Sequence, residues 1–97
     1  MRLVGLWTKP DDVEAFEREY LGSHLPRLEA LPANAGVHSA RCIDGPFFRL
    51  TEVHFASLDD IHAALQGDLG ETILADANAL ATKFGVRLDV LVVADAI

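Results

Sequence analysis

A tyrosine and a histidine lie four residues apart in this chain, and both side chains can take part in proton transfer. Phe16, Tyr20 and His24 have the spacing that places side chains on one face of a helix. Because the pKa of imidazole is near neutrality, His24 is the candidate general acid or base. Its alternative role is structural, with the ring bonded to a free carbonyl at a helix end. Tyr20 is the candidate donor to a substrate oxygen, or else a core tyrosine with its hydroxyl at the rim.

The helix that carries these residues is predicted to end or kink between Gly22 and Leu25. Pro26 lacks an N–H group and disfavours the helical conformation at Leu25. Gly22 weakens the helix just before that point. We therefore expect His24 to lie at a break in the helix, beside a cavity.

Glu52 is the third candidate, because it is a carboxylate within a largely apolar strand. Such a group must be paired, hydrogen-bonded or protonated. If Glu52 meets His24, the two form a base and the group that orients it. The alternative is a salt bridge from Glu52 to Arg41 or Arg49.

The strand that contains Glu52 has two faces, and its period of two does not decide which face meets the helices. We expect the face with Glu52 to line a pocket together with Tyr20 and His24. The ligand-contacting residues would then be Trp7, Phe48, Leu50 and His54. In the alternative, the other face meets the helices, and Glu52 does not join the pocket. That other face consists of Phe47, Arg49, Thr51, Val53 and Phe55.

Four apolar runs predict strands at residues 2–8, 37–43, 47–55 and 86–94. Asp11 and Ser57 are expected to cap the first two helices, and the third follows Gly67 and ends near Gly85. Asp44-Gly45-Pro46 predicts a tight turn between the second and third strands. The order βαββααβ indicates an α+β, ferredoxin-like fold, with a four-stranded antiparallel sheet and helices on one face.

Length and composition predict a single domain over residues 1–97. Hydrophobic residues make up 51% of this short chain, and a sheet with one bare apolar face needs a partner. We therefore expect a homodimer formed through that sheet face. The net charge of -7 argues against nucleic acid and membrane partners, which require basic patches.

The single cysteine, Cys42, excludes an intrachain disulfide and a cysteine-built zinc site. The four histidines show no recognisable metal-binding spacing, so we expect neither a metal nor a cofactor. A cytoplasmic location is expected, because we find no signal peptide or transmembrane span in the sequence.

The motif Phe16-x-x-x-Tyr20-x-x-x-His24-x-Pro26 resembles the signature helix of the EthD-like branch of the dimeric α/β-barrel family. Residues 6–10, 31–32, 48–55 and 75–76 also resemble segments of that family. The resemblance implies two subunits that pack their sheets into one barrel. Relatives in the wider superfamily include cofactor-free monooxygenases, polyketide cyclases, lactone isomerases and haem-degrading enzymes.

Three functions are compatible with these patterns. The first is a cofactor-free cyclase, isomerase or monooxygenase acting on a small aromatic or polyketide-like compound. In it, His24 would move the proton, Glu52 would orient His24, and Tyr20 would stabilise an oxyanion. The second is a non-catalytic ligand-binding or accessory protein of the same fold. The third, haem binding through His24, is weaker because only isolated arginines could hold the propionates.

Overall fold

A computed structural model describes residues 1–95 and contains one antiparallel sheet with helices on one face. The strands are β1 (Arg2–Trp7), β2 (Gly36–Arg41), β3 (Arg49–His54) and β4 (Leu88–Val93). The helices are α1 (Val13–Glu19), a π-helical turn (Tyr20–His24), α2 (Leu25–Glu29), α3 (Leu58–Gln66) and α4 (Asp68–Phe84). The strand order is β2-β3-β1-β4, and every neighbouring pair is antiparallel. This topology confirms the predicted α+β, ferredoxin-like fold.

The helix boundaries follow the capping chemistry of the sequence, with one correction. Ser57 caps α3 as predicted, and its side chain accepts a backbone N–H bond at 3.1 Å. Gly85 ends α4 in the left-handed conformation that glycine tolerates, with φ 66. The cap of α1 is Asp12, not Asp11. Asp11 instead donates its N–H to the carbonyl of Phe84 at 3.0 Å, which ties the start of α1 to the end of α4.

The connection between β2 and β3 is longer than the tight turn predicted from Asp44-Gly45-Pro46. Arg41 and Arg49 form the last pair of the ladder, and residues 42–48 bridge them. Pro46 has no N–H to offer a ladder, and Gly45 adopts φ 90, so regular pairing does not continue to the loop tip.

The first helix widens where the sequence predicted a break. The N–H of Leu25 donates to the carbonyl of Tyr20, five residues earlier, so residues 20–24 form one π-helical turn. α2 follows without a gap, so the predicted end of the helix is wrong, and the predicted break takes the form of a π-helical turn, a feature at which helices kink. Pro26 cannot donate a backbone hydrogen bond to the preceding turn. The chain accommodates this by widening that turn, and the helix continues.

The core lies between the helices and the sheet, in two adjoining clusters. One is built around Val53, Phe55 and Ile61. The other is aromatic, and its Trp7 ring lies 5.6 Å from both the Phe16 and the Tyr20 ring centroids. The opposite face of the sheet carries no helix within residues 1–95. The two faces of the sheet therefore have different environments, and only one of them can contribute to a pocket under the helices.

Candidate functional site

A cavity of about 60 Å³ lies between the sheet and helices α2 and α4 and opens to solvent. Its walls are almost entirely apolar. The sheet contributes Leu3, Gly5, Trp7, Thr51, Val53, Leu88 and Val90, and the helical side contributes His24, Leu28, Leu65, Ile73, Leu74 and Ala77. Apolar walls with a few polar groups are typical of small-molecule sites.

His24 lies at the wall of this cavity and is oriented by a carboxylate. The π-helical turn carries the ring into the interior, where it is 3% exposed. Its Nδ1 atom lies 2.9 Å from Oδ2 of Asp76 on α4. The second oxygen of Asp76 is bound by Arg27 Nη1 at 2.9 Å. Because a carboxylate only accepts, Nδ1 carries the proton, and the lone pair of the neutral ring is on Nε2.

Burial lowers the pKa of His24 below its ordinary value. The hydrogen bond and charge of Asp76 oppose this shift, and the charge of Arg27 adds to it. The neutral ring is therefore favoured at pH 7. Within residues 1–95, no hydrogen bond engages Nε2, so this nitrogen has an unused acceptor site.

The ring of His24 also lines a second, polar cleft of about 180 Å³ on the outer side of the helices. Arg27, Asp76, Lys83 and Ser23 contribute to that cleft. The bond to Asp76 thus connects the buried ring to a solvent-facing, charged surface. The alternative that His24 caps a free carbonyl is not supported within residues 1–95, because the ring bonds to the Asp76 carboxylate instead.

Tyr20 is buried in a polar network and does not line the cavity. Its hydroxyl bonds to Ser39 at 2.8 Å and to Thr51. Arg49 donates to Ser39 at 2.9 Å, forms a two-pronged ion pair with Glu17, and lies over the Tyr20 ring at 4.9 Å. Burial raises the pKa of Tyr20. The expectation that Tyr20 lines the pocket is therefore wrong, because its hydroxyl is already bonded to partners in the core.

Glu52 lies on the uncovered face of the sheet, away from His24. It bonds to Arg2 Nη1 at 2.8 Å, and its other oxygen is 3.5 Å from Nε2 of His54. The proposed His24–Glu52 pair is therefore wrong, and so is the alternative salt bridge to Arg41 or Arg49. Those two arginines both approach Glu17.

The structure adopts the alternative assignment of the β3 faces. Arg49, Thr51 and Val53 are buried beneath the helices, which places Leu50 and His54 on the other face. Leu50 and His54 therefore do not line the cavity. Phe48 precedes the strand and packs against Phe16 of the aromatic cluster, with ring centroids 6.2 Å apart. Of the four ligand-contacting residues predicted, only Trp7 lines the cavity.

Asp76 is the site residue that the sequence reasoning did not assign. Asp76 is adjacent to Ala77, which belongs to the buried stripe of α4. The sequence therefore shows a carboxylate at the edge of an apolar helix face, and this position could have marked Asp76 as a candidate. Its partner is 52 positions away in the chain. Such a separation leaves no local pattern that pairs the two residues.

No family model and no curated protein matches the sequence, but solved structures do match the fold. An EthD family protein of Bacillus halodurans matches with a TM-score of 0.83 and 22% sequence identity. The match covers 96% of this chain and 97% of that protein's chain. The cofactor-independent oxygenase SnoaB of Streptomyces nogalater has a TM-score of 0.65 and 14% identity, covering 99% and 94%. The chain shares their fold.

A third structure with this fold is a dimeric protein with a ferredoxin-like fold from Bacteroides fragilis. It has a TM-score of 0.60 and 14% identity, covering 93% of this chain and 92% of its own. At these identities the likeness establishes the fold, and any chemistry must be argued from the residues of the site.

Within residues 1–95, no group of three or more histidine, cysteine or acidic residues could hold a metal ion. No helix in that part of the chain is long and apolar enough to cross a membrane.

Proposed function

We propose that the cavity binds a small, largely apolar compound and that His24 abstracts a proton from it. The observation that carries the proposal is the His24–Asp76 pair at the cavity wall, with Nε2 of the imidazole unbonded. A buried neutral histidine whose second nitrogen is held by a carboxylate has the arrangement of a general base.

Asp76 is the positioning residue in this proposal. It fixes the tautomer that leaves the Nε2 lone pair free, and it stabilises the imidazolium that forms when Nε2 takes a proton. Arg27 binds the other carboxylate oxygen, which favours the orientation of Asp76 toward the ring. Glu52, the orienter predicted from sequence, has no part in this pair because it lies on the other face of the sheet.

The substrate class follows from the apolar walls and the single base. A small aromatic or polyketide-like ketone presents an apolar body together with an acidic C–H next to its carbonyl. Breaking that C–H bond transfers the proton to Nε2 and leaves the electron pair on the enolate. Cyclisation, isomerisation and oxygen addition can all begin from an enolate. The fold shared with a cofactor-independent oxygenase supports this class.

Proton exchange tests the proposal without knowledge of the natural substrate. We would follow the exchange of the C–H protons beside the carbonyl of 2-tetralone in D2O by NMR. The wild-type protein should accelerate exchange, and His24→Ala should reduce the acceleration by about 10²–10⁴-fold, the usual contribution of a general base. Asp76→Asn should reduce it less and change its pH profile.

Glu52→Gln is the matched control, because it alters a carboxylate on the opposite face of the same sheet. Its exchange rate should equal that of the wild type. Equal exchange by the wild type and His24→Ala would overturn the proposed base. If 2-tetralone quenches the fluorescence of Trp7, the only tryptophan, but does not exchange, the protein is a binding protein.

We also propose that the chain forms a homodimer through the uncovered face of the sheet. That face includes Val4, Leu6, Leu50 and Leu91, and Leu91 is 45% exposed. Apolar side chains on a face without a helix favour a partner surface of the same kind. The dimeric Bacteroides fragilis protein of the same fold supports this proposal.

Two substitutions on β4 test the dimer. Leu91 and Val92 are exposed to similar extents, 45% and 49%, but point to opposite faces of the sheet. Sedimentation at micromolar concentration should show a dimer for the wild type and Val92→Glu, and a monomer for Leu91→Glu. A monomeric wild-type protein would contradict the proposal.

A further inference from the structure

We infer that Trp7 and Gly5 form an oxygen-binding niche in the cavity, where the indole N–H donates to the carbonyl or phenolate oxygen of the ligand. The inference rests on the proposed function of this cavity and names the group that selects its ligand. The catalytic pair does not supply such a group, because the free Nε2 of neutral His24 is an acceptor.

The indole N–H of Trp7 is a buried hydrogen-bond donor. Trp7 is 2% exposed, and within residues 1–95 its Nε1 atom makes no hydrogen bond. Buried polar groups are nearly always hydrogen-bonded, so an unpaired indole N–H at a cavity wall requires an explanation. A ligand oxygen would supply the missing acceptor.

The indole cannot turn to find another partner, because aromatic rings hold it on several sides. Phe16, Tyr20 and His24 all pack steeply inclined to it, with ring centroids 5.6, 5.6 and 5.4 Å away. Reorienting the ring would disrupt the whole aromatic cluster. The direction of the N–H is therefore fixed before any ligand arrives, which limits the ordering cost of binding.

Gly5 provides the space beside this N–H. It lies between Leu3 and Trp7 on the cavity-lining face of β1. Unlike those two residues, Gly5 has no side chain to fill the space beside the indole. A Cβ atom at Gly5 would lie 3.5 Å from Nε1 of Trp7 and 3.6 Å from Cδ1 of Leu88. The Leu88 side chain therefore borders the niche, and an atom placed beside Gly5 contacts it at an ordinary van der Waals distance.

Thr51 also lies at the cavity wall, but it is not an equivalent donor. Its hydroxyl is bonded to Tyr20. The niche and the base are neighbours, because Trp7 and His24 are in ring contact. A ketone bound by its oxygen at Trp7 therefore has the C–H beside its carbonyl close to His24, and the N–H would stabilise the charge that develops on the oxygen.

The test compares 2-tetralone with tetralin, which has the same bicyclic skeleton without the oxygen. Calorimetry gives the ratio of the two affinities for each protein variant. Trp7→Phe keeps an aromatic ring and removes the N–H, so the ratio should shift about tenfold toward tetralin, as expected for one buried hydrogen bond. An unchanged ratio in Trp7→Phe, or no binding of either compound by the wild type, would overturn the inference.

Gly5→Ala keeps the indole and fills the niche, which guards against a folding defect in Trp7→Phe. The added methyl makes only ordinary van der Waals contacts, so the chain should fold. It should weaken the binding of 2-tetralone more than that of tetralin, and equal weakening would count against the niche. A preference for the ketone without proton exchange would uphold the niche and reject His24 as base. Exchange without the preference would do the reverse.

Discussion

Tyr20 and His24 belong to the same π-helical turn and are both almost completely buried, yet their hydrogen bonding differs. The Tyr20 hydroxyl bonds to two side chains of the sheet, and the Arg49–Glu17 pair surrounds it. His24 has one nitrogen bonded to Asp76 and one without a partner in the part of the chain that the structure describes. Tyr20 faces the closed part of the core, whereas His24 faces a cavity.

Burial alone therefore does not identify a reactive side chain. A buried polar residue with every hydrogen bond satisfied fixes the packing around it. One with an unused acceptor next to an empty space can act on a ligand. We therefore expect substitutions in the Tyr20 network to change stability, and substitutions at His24 to change chemistry.

The largest effect on stability is expected from Glu17→Ala. This change leaves the guanidinium of Arg49, which is 7% exposed, without its carboxylate partner. Removing one partner of a buried ion pair typically costs about 3–5 kcal/mol, and urea unfolding would measure it. Glu19→Ala is the matched control, because the exposed Glu19–Lys83 pair should contribute less than about 1 kcal/mol. Similar losses in both variants would contradict a special role for the network.

Tyr20→Phe should have an intermediate effect on stability. The ring packing remains, but Ser39 and Thr51 lose their shared hydroxyl partner, at a cost of about 1–3 kcal/mol. The exchange of 2-tetralone protons, measured below the unfolding transition, should stay close to the wild-type rate. A large loss of exchange in a fully folded Tyr20→Phe protein would restore Tyr20 as a catalytic residue.

The smallest effect concerns the pH dependence of stability. Burial lowers the pKa of folded His24, so the unfolded chain binds its proton more readily. Stability from this residue is fully present above the ordinary histidine pKa and is lost as pH falls from there through the lowered folded value. Urea midpoints between pH 7.5 and 5 should therefore fall less steeply in His24→Gln.

His62→Gln serves as the control for that measurement, because His62 is exposed on α3. Its pH dependence should match that of the wild type. If His24→Gln also matches the wild type, the buried imidazole does not contribute to the acid sensitivity of the fold.

The fold could be predicted from the sequence because its signals are local. Strand runs, helix periodicity and the residues Ser57 and Gly85 each specify structure within a few positions. The face of β3 could not be predicted in this way, because Arg49 and Thr51 are polar and are nevertheless buried. Their partners, Glu17 and Tyr20, lie on the first helix, and only the folded chain brings them together.

The candidate site shows the same limit. The motif around His24 identified the histidine, but not the carboxylate that orients it. Asp76 becomes its partner only when α4 packs beside the π-helical turn. Trp7 was predicted to contact a ligand. The sequence could not show that its buried N–H makes no hydrogen bond within residues 1–95.

The π-helical turn also bears on how this chain should be aligned with related sequences. A π turn contains one residue more than the α turn it replaces, so it corresponds to a single-residue insertion within the helix. Removing one residue between Tyr20 and His24 would restore a regular α-helix and bring the two residues to a spacing of three. In an alignment, a relative without the π turn should show a one-residue gap in this region. That gap would mark the widened turn that places the histidine at the cavity, even where the flanking helices superpose without any shift.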